Sequence, residues 1–108
     1  MAEALSISQA IAHARQLLGE LYGDRLNEVL LFGSQARGDA LPDSDIDMLV
    51  VLDAPVNFYE EAKRLVRVER DLYERYRLDF SFRPCDTAAF QDEDRWFMQN
   101  VHAEGVAL

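Results

Sequence analysis

Residues 31 to 52 read LFGSQARGDALPDSDIDMLVVL, and this stretch constrains the fold more than any other part of the chain. An apolar run ends at Gly33-Ser34, and ten residues later Asp45-Ile46-Asp47 opens a second apolar run. Positions i and i+2 of a strand point to one face, so two like charges are expected side by side at the start of a largely buried strand. Each disfavours ionisation of the other, and partial burial adds a desolvation cost. A divalent cation, which prefers hard oxygen ligands, offsets both. The small-residue turn leading into a short helix offers backbone N–H groups and a hydroxyl to phosphate. The combination predicts a site for a metal–nucleotide complex.

The rest of the chain sets this stretch within a mixture of helices and strands. Ile7, Ala10, Ile11, Ala14, Leu17, Leu18 and Leu21 recur at helical spacing, which predicts a helix from about Ile7 to Leu21. Ser6 and Gln9 stand at capping-box spacing before it, and Gly23-Asp24 ends it. Glu28 to Phe32 reads as a short buried strand bounded by Gly33. Gln35 to Gly38 reads as a single helical turn, and Asp39 to Ser44, with Pro42, as a loop. The second strand runs from Asp45 to Leu52, and its apolar core on both faces predicts a central place in a sheet.

After a turn at Pro55, Asn57 and Glu60 repeat the capping-box spacing and open a helix from about Phe58 to Tyr76. Phe58, Ala62, Leu65, Leu72 and Tyr76 are expected on its buried side. Glu60–Arg64, Arg67–Asp71 and Arg70–Glu74 form i, i+4 pairs on the outer side. Leu78 to Phe82 alternates like a third strand, and a last helix starts at about Thr87 or Asp92 and ends near His102. Gly105 to Leu108 either adds a short strand or packs down. The predicted fold class is α/β (α+β): one domain over residues 1–108, a small mixed sheet of three to four strands, and helices mainly on one face.

Composition excludes several classes. A chain of 108 residues buries roughly two-thirds of its unfolded surface, enough for one core. No apolar run approaches the ~18 residues of a membrane span, and the N-terminal MAEALSISQA lacks the pattern of a signal peptide. The single Cys85 has no partner within the chain for a disulfide, which fits a reducing cytoplasm. A net charge of −9 argues against general nucleic-acid binding, whose footprint is a basic surface. It leaves room for a free nucleotide bridged to carboxylates by Mg²⁺, and for a basic protein partner.

Asp79 is a third acidic residue, flanked by Leu78 and Phe80. If its strand neighbours the second one, Asp79 faces the same site as Asp45 and Asp47, and three carboxylates suffice for two metal ions. Taken singly, an Asp at a strand start is more often a turn residue or a helix cap. Arg37 contacts a phosphate or a partner, or ties down the acidic loop through Asp39 or Asp43. The arginines of the long helix have acidic partners and read as a solvated face, whereas Arg83 is the better candidate for substrate or partner contact. One Cys and two dispersed His residues do not make a zinc site. Gly33 to Gly38 is not a P-loop, since no Gly-Lys-Ser/Thr follows. Trp96, Phe97, Met98 and Val101 form an apolar patch that is core or a contact surface.

Gly33-Ser34, ten intervening residues and Asp45-Ile46-Asp47 resemble the signature of the polymerase-beta-like nucleotidyltransferase superfamily. The longer string Phe32-Gly33-Ser34-Gln35-Ala36-Arg37-Gly38 is similar to its minimal nucleotidyltransferase (MNT) branch, and the resemblance extends from about Leu26 to Phe82. Many members of that branch are antitoxins whose partner is an all-helical ribonuclease of the HEPN type. The resemblance implies that Gly33 and Ser34 hold the β- and γ-phosphates. It further implies that Asp45 and Asp47 bind Mg²⁺, two ions in all, and that Asp79 completes the site and orients the acceptor hydroxyl. The implied reaction moves a nucleoside monophosphate, AMP from ATP, onto a hydroxyl of the partner toxin. Larger family members carry a further domain for the acceptor, so here the acceptor is expected on a partner, bound as an oligomer, or to be very small. The competing expectation is a catalytically silent binding module that neutralises its partner sterically. Arg95 and His102 match a loose HEPN ribonuclease spacing, but such a domain is wholly helical and three strands are predicted here.

Overall fold

The computed structural model describes residues 2–38, 44–53, 55–92 and 96–108. Helix α1 (Ala2–Tyr22) leads through a 3-10 turn (Gly23–Arg25) into β1 (Leu26–Phe32), then α2 (Ser34–Arg37) and β2 (Ile46–Leu52). Helix α3 (Phe58–Tyr76), β3 (Phe80–Asp86), α4 (Thr87–Phe90), α5 (Trp96–Glu104) and β4 (Val106–Ala107) complete the order. The strands form one mixed sheet in the order β3-β2-β1-β4. β1 is antiparallel to β2 and to β4, while β2 and β3 run parallel.

The central position predicted for β2 is observed, and every residue from Met48 to Leu52 is fully buried. Alternation divides its side chains between two cores. Met48, Val50 and Leu52 join Val29, Leu31, Phe80 and Phe82 beneath α1 and α3, which contribute Leu18, Leu65 and Leu72 among others. Leu49 and Val51 join Leu30 and Cys85 on the opposite face, under Met98 and Val101 of α5 and Phe90 of α4. The two long helices thus share one face, and only short helices cover the other. Met98 and Val101 are core; the Trp96 and Phe97 side chains and Arg95 lie outside the described residues.

Element boundaries moved in three places. α1 continues through Ser6, so Ser6 does not cap it; Ala2 to Leu5 are good helix formers and extend the first turn. β3 lies further along than expected, at Phe80–Asp86. Pro84 signals the end of a strand, yet an edge strand tolerates it because its missing N–H is not needed for pairing. Two residues earlier, the Phe82 amide donates to Glu69 of α3 at 3.4 Å, so this free edge is covered rather than left open for another chain. The predicted last helix is two, α4 and α5. Asn57 caps α3 as expected, accepting from the Glu60 amide at 3.1 Å.

On α3 the inward arc is Glu61, Leu65, Val68 and Leu72, spaced four, three and four apart. Phe58, expected inside, is 59 % exposed, because in the first turn of α3 it borders an open pocket with Asp47 and Arg83 rather than the core cluster. Glu61 is 3 % exposed. It receives Arg25 at 3.0 Å and Arg64 at 2.9 Å. Arg64 therefore pairs three residues back, not with Glu60 as expected, and Glu60 meets Lys63 at 3.8 Å. Burial opposes the Glu61 charge, but the hydrogen bonds from Arg25 and Arg64 outweigh it and hold the carboxyl below its usual range. The cluster ties the first turn of α3 to the chain segment entering β1.

A carboxyl with a lowered folded-state pKa contributes stability in full above its unfolded-state value, and that contribution is lost as pH falls through the folded-state value. Glu61→Gln is expected to lower unfolding free energy at pH 7 by about 1–2 kcal/mol, a discounted figure because both arginines are half-exposed. Urea unfolding at pH 7 and pH 3 checks this: the gap between wild type and variant should close at the lower pH.

Candidate active site

β1 ends at Phe32, directly opposite Asp47 on β2. The chain then turns through Gly33, whose φ of +73° lies in the left-handed region that glycine occupies without steric cost. A Cβ at this position would sit 2.6 Å from Asp47 Oδ2. The left-handed turn favours the missing side chain, and a Cβ there would also push the Asp47 carboxylate aside. The turn continues into α2, where the Arg37 amide donates to the Gly33 carbonyl at 3.1 Å. The Ser34 side chain lies outside the described residues, as do Asp39, Pro42 and Asp43.

Asp47 projects on the same face of β2 as Leu49 and Val51. α5 covers those two residues but not the end of the strand where Asp47 lies. In the parallel register Asp47 stands beside Ser81, and Leu49 beside Arg83. Phe32, Asp47, Ser81, Arg83 and Phe58 line a pocket of about 370 Å³. Asp45, two residues back on the same face, is exposed. Burial pushes the Asp47 carboxyl up and the charge of Asp45 pushes it further, while Arg37 and Arg83 pull the other way. A carboxyl whose ionisation burial and a neighbouring like charge oppose, with its oxygens facing an open pocket, fits a hard divalent cation.

The structure brings Asp45, Asp47 and Gly33 together as predicted. Asp79 is exposed and lies just before β3, where its carbonyl accepts from the Ile46 amide at 2.9 Å. Among the described residues, however, no three His, Cys, Asp or Glu side chains are close enough to hold one ion. Arg37 pairs with Glu104 at the end of α5, at 3.2 Å. Its charge also reaches Asp47. His102 stacks on Phe90, and His13 lies 3.0 Å from the Tyr76 hydroxyl, so neither is near this pocket. Sequence reasoning missed Phe58 and Ser81. The alternation of Phe80 and Phe82 with Ser81 and Arg83 carries the signal for Ser81, but only the parallel register shows which carboxylate it meets. Among the described residues no helix is long and apolar enough to cross a membrane.

The nucleotidyltransferase domain family matches residues 11–100 of this chain. The putative protein adenylyltransferase MJ0604 of Methanocaldococcus jannaschii is 40 % identical over 50 residues, which is 46 % of this chain and 50 % of that protein. The putative protein adenylyltransferase MJ0141 of the same organism is 32 % identical over 59 residues, 55 % of this chain and 60 % of that protein. The chain thus spans about half the length of the curated relatives it matches. A crystal structure of a toxin–antitoxin with AMP-PNP shares the fold with a TM-score of 0.58 at 18 % identity, covering 88 % of this chain and 69 % of the other. A nucleotidyltransferase structure from Sulfolobus solfataricus gives a TM-score of 0.52 at 23 % identity, covering 94 % and 84 %.

Two substitutions should move stability in opposite directions. Gly33→Ala combines a left-handed backbone with a clash against Asp47 and should cost about 1–3 kcal/mol. Asp47→Asn removes a charge that the fold disfavours and should raise Tm by roughly 2–4 °C, the size expected of about half a kcal/mol. Mg²⁺ should raise the Tm of wild type and not that of Asp47→Asn. Differential scanning calorimetry with and without Mg²⁺ checks all three.

Proposed function

For a chain that belongs to the nucleotidyltransferase domain family, we propose transfer of AMP from ATP onto a hydroxyl of a partner protein, with Mg²⁺ as cofactor, in the role of antitoxin to a HEPN-type toxin. The observation that carries the reading is the Asp45–Asp47 face, held open at the end of β2 with Gly33 against the Asp47 carboxylate. The two Methanocaldococcus jannaschii relatives, putative protein adenylyltransferases, support a protein acceptor, and the toxin–antitoxin structures sharing the fold support a toxin partner. The HEPN assignment and the cytoplasmic location follow from the sequence resemblance to the MNT branch.

In this reading Asp45 and Asp47 hold the metal, with Asp79 as the further carboxylate. Bound Mg²⁺ supplies charge stabilisation to the attacking and leaving oxygens of an in-line displacement. The backbone of Gly33 and Ser34 receives the β- and γ-phosphates. Arg37 and Arg83, whose charges both reach Asp47, balance the anionic ligand. The acceptor oxygen forms a bond to the α-phosphorus, the bond from that phosphorus to the bridging oxygen breaks, and pyrophosphate leaves. In this reading Asp79, exposed just before β3, takes the hydroxyl proton.

One observation favours a second reading. The described carboxylates do not converge into a three-residue metal cluster, as expected of a binding module that blocks its partner sterically. Incubation with α-labelled ATP, Mg²⁺ and host lysate separates the two. The enzyme reading expects a labelled protein band that Asp45→Asn/Asp47→Asn abolishes by at least 100-fold, since removal of metal-held charge stabilisation is worth several kcal/mol. A double variant that labels normally refutes the metal assignment. No label, with a partner still neutralised without ATP, establishes the steric module.

A further inference from the structure

Helix α3 carries an ordered outer surface to which the proposed reaction assigns nothing. Tyr59, Val66 and Tyr73 stand seven residues apart. Side chains at that spacing fall within about 20° of one line along a helix. All three are open to solvent, at 68, 46 and 45 %. The row they form is about 21 Å long. Lys63 and Arg70 on α3, with Arg77 at its C-cap, repeat the same spacing and make a basic row. The Lys63 ammonium lies 4.4 Å from the centre of the Tyr59 ring, and the Arg77 guanidinium 5.5 Å from that of Tyr73. The aromatic and basic rows therefore touch. Glu60 holds Lys63 only loosely, at 3.8 Å. In a chain of net charge −9, this is a local reversal of sign beside exposed apolar area.

The neighbouring strand decides what kind of chain can cover this face. Glu69, one turn from Val66, accepts the Phe82 amide at the free edge of β3. Pro84, whose position two residues on would present the next amide to that side, has none. A strand therefore finds no ladder to join here, and an occupant must pack on the side chains of α3. An apolar row repeating every seven residues is the seam that a second helix fits, and charges flanking such a seam choose the partner. A second copy of this chain fits poorly. Paired antiparallel about Val66, it would set each basic row against its own equivalent. Paired parallel, it would set that row against Glu69, whose carboxylate is already committed to Phe82. At its start the row adjoins Phe58, which lines the pocket of Asp47, so a chain seated on α3 reaches the candidate active site.

We propose that this face of α3 is the docking surface for a partner that presents an acidic amphipathic helix. Its apolar side chains would cover Tyr59, Val66 and Tyr73, and its carboxylates would meet Lys63, Arg70 and Arg77. The inference rests on the partner in the proposed function and not on its chemistry, since transfer and steric blockade both need a docked chain.

Site-specific photocrosslinking in the native host tests this. Val66 of the full chain is replaced by the photoreactive residue benzoylphenylalanine, and Asp71, on the other side of α3, serves as the control position. Mass spectrometry then sequences the crosslinked segment. The expected adduct from position 66 joins a segment with apolar residues at three- and four-residue spacing, flanked by Asp or Glu. Lys63→Glu/Arg70→Glu should reduce its yield by roughly tenfold or more, because like charges are brought together. Both positions are exposed, so an unchanged Tm shows that this variant is folded. An adduct with a second copy, with a basic or non-helical segment, or of equal yield from position 71 overturns the proposal. So does an adduct indifferent to the charge reversal, or none at all. The adduct is scored without added ATP, so failure of docking and failure of the transfer reading are told apart.

Discussion

The close approach of Gly33 to the Asp47 carboxylate governs the rest of the site. Pairing of Phe32 with Asp47 sets the register of β1 against β2. A slip of one residue would turn Asp47 and Leu49 to the opposite face of the sheet and exchange both cores. The left-handed turn at Gly33 then directs the chain into α2 without displacing the carboxylate. Strand pairing thus fixes where Asp47 stands, and the glycine at the turn lets the chain pass beside it.

That charge is affordable because the two faces of the sheet are covered unequally. α1 and α3 seal one face along its length. α4 and α5 cover only the part of the other face formed by Leu30, Leu49, Val51 and Cys85. Among the described residues the apolar cluster under α4 and α5 does not include the start of β2, where Asp47 and the preceding Asp45 are acidic. The fold keeps its hydrophobic contacts and leaves its disfavoured charges where a ligand can reach them. Asp47 lies against this boundary, which is why burial and Asp45 together raise its carboxyl while Asp45, further out, is exposed.

α3 links the two halves of the molecule. Glu61, buried between Arg25 and Arg64, orients its first turn, and Glu69 reaches the β3 edge at the Phe82 amide. Phe58, assigned to the core by spacing alone, lines the pocket beside Asp47 instead. Spacing gives a residue's angle around a helix but not which turns lie over apolar neighbours, so periodicity could not show this.

Much was legible in the chain itself. The bounds of α3, the central place of β2 and the α2 turn follow from spacing and alternation, which are local properties of a helix or strand, whereas β2 starts at Ile46 and leaves Asp45 just before it. The family follows from Gly33-Ser34 and Asp45-Ile46-Asp47. The tertiary structure alone decided that β3 runs parallel to β2 and that Ser81 and Arg83 join Asp47. It also decided that Arg37 meets Glu104 from the far end of the chain. It set Asp79 just before a strand rather than within one. These outcomes depend on which strands are neighbours and in what register. That is settled by packing two apolar faces at once, between residues far apart in sequence, and no local pattern encodes it.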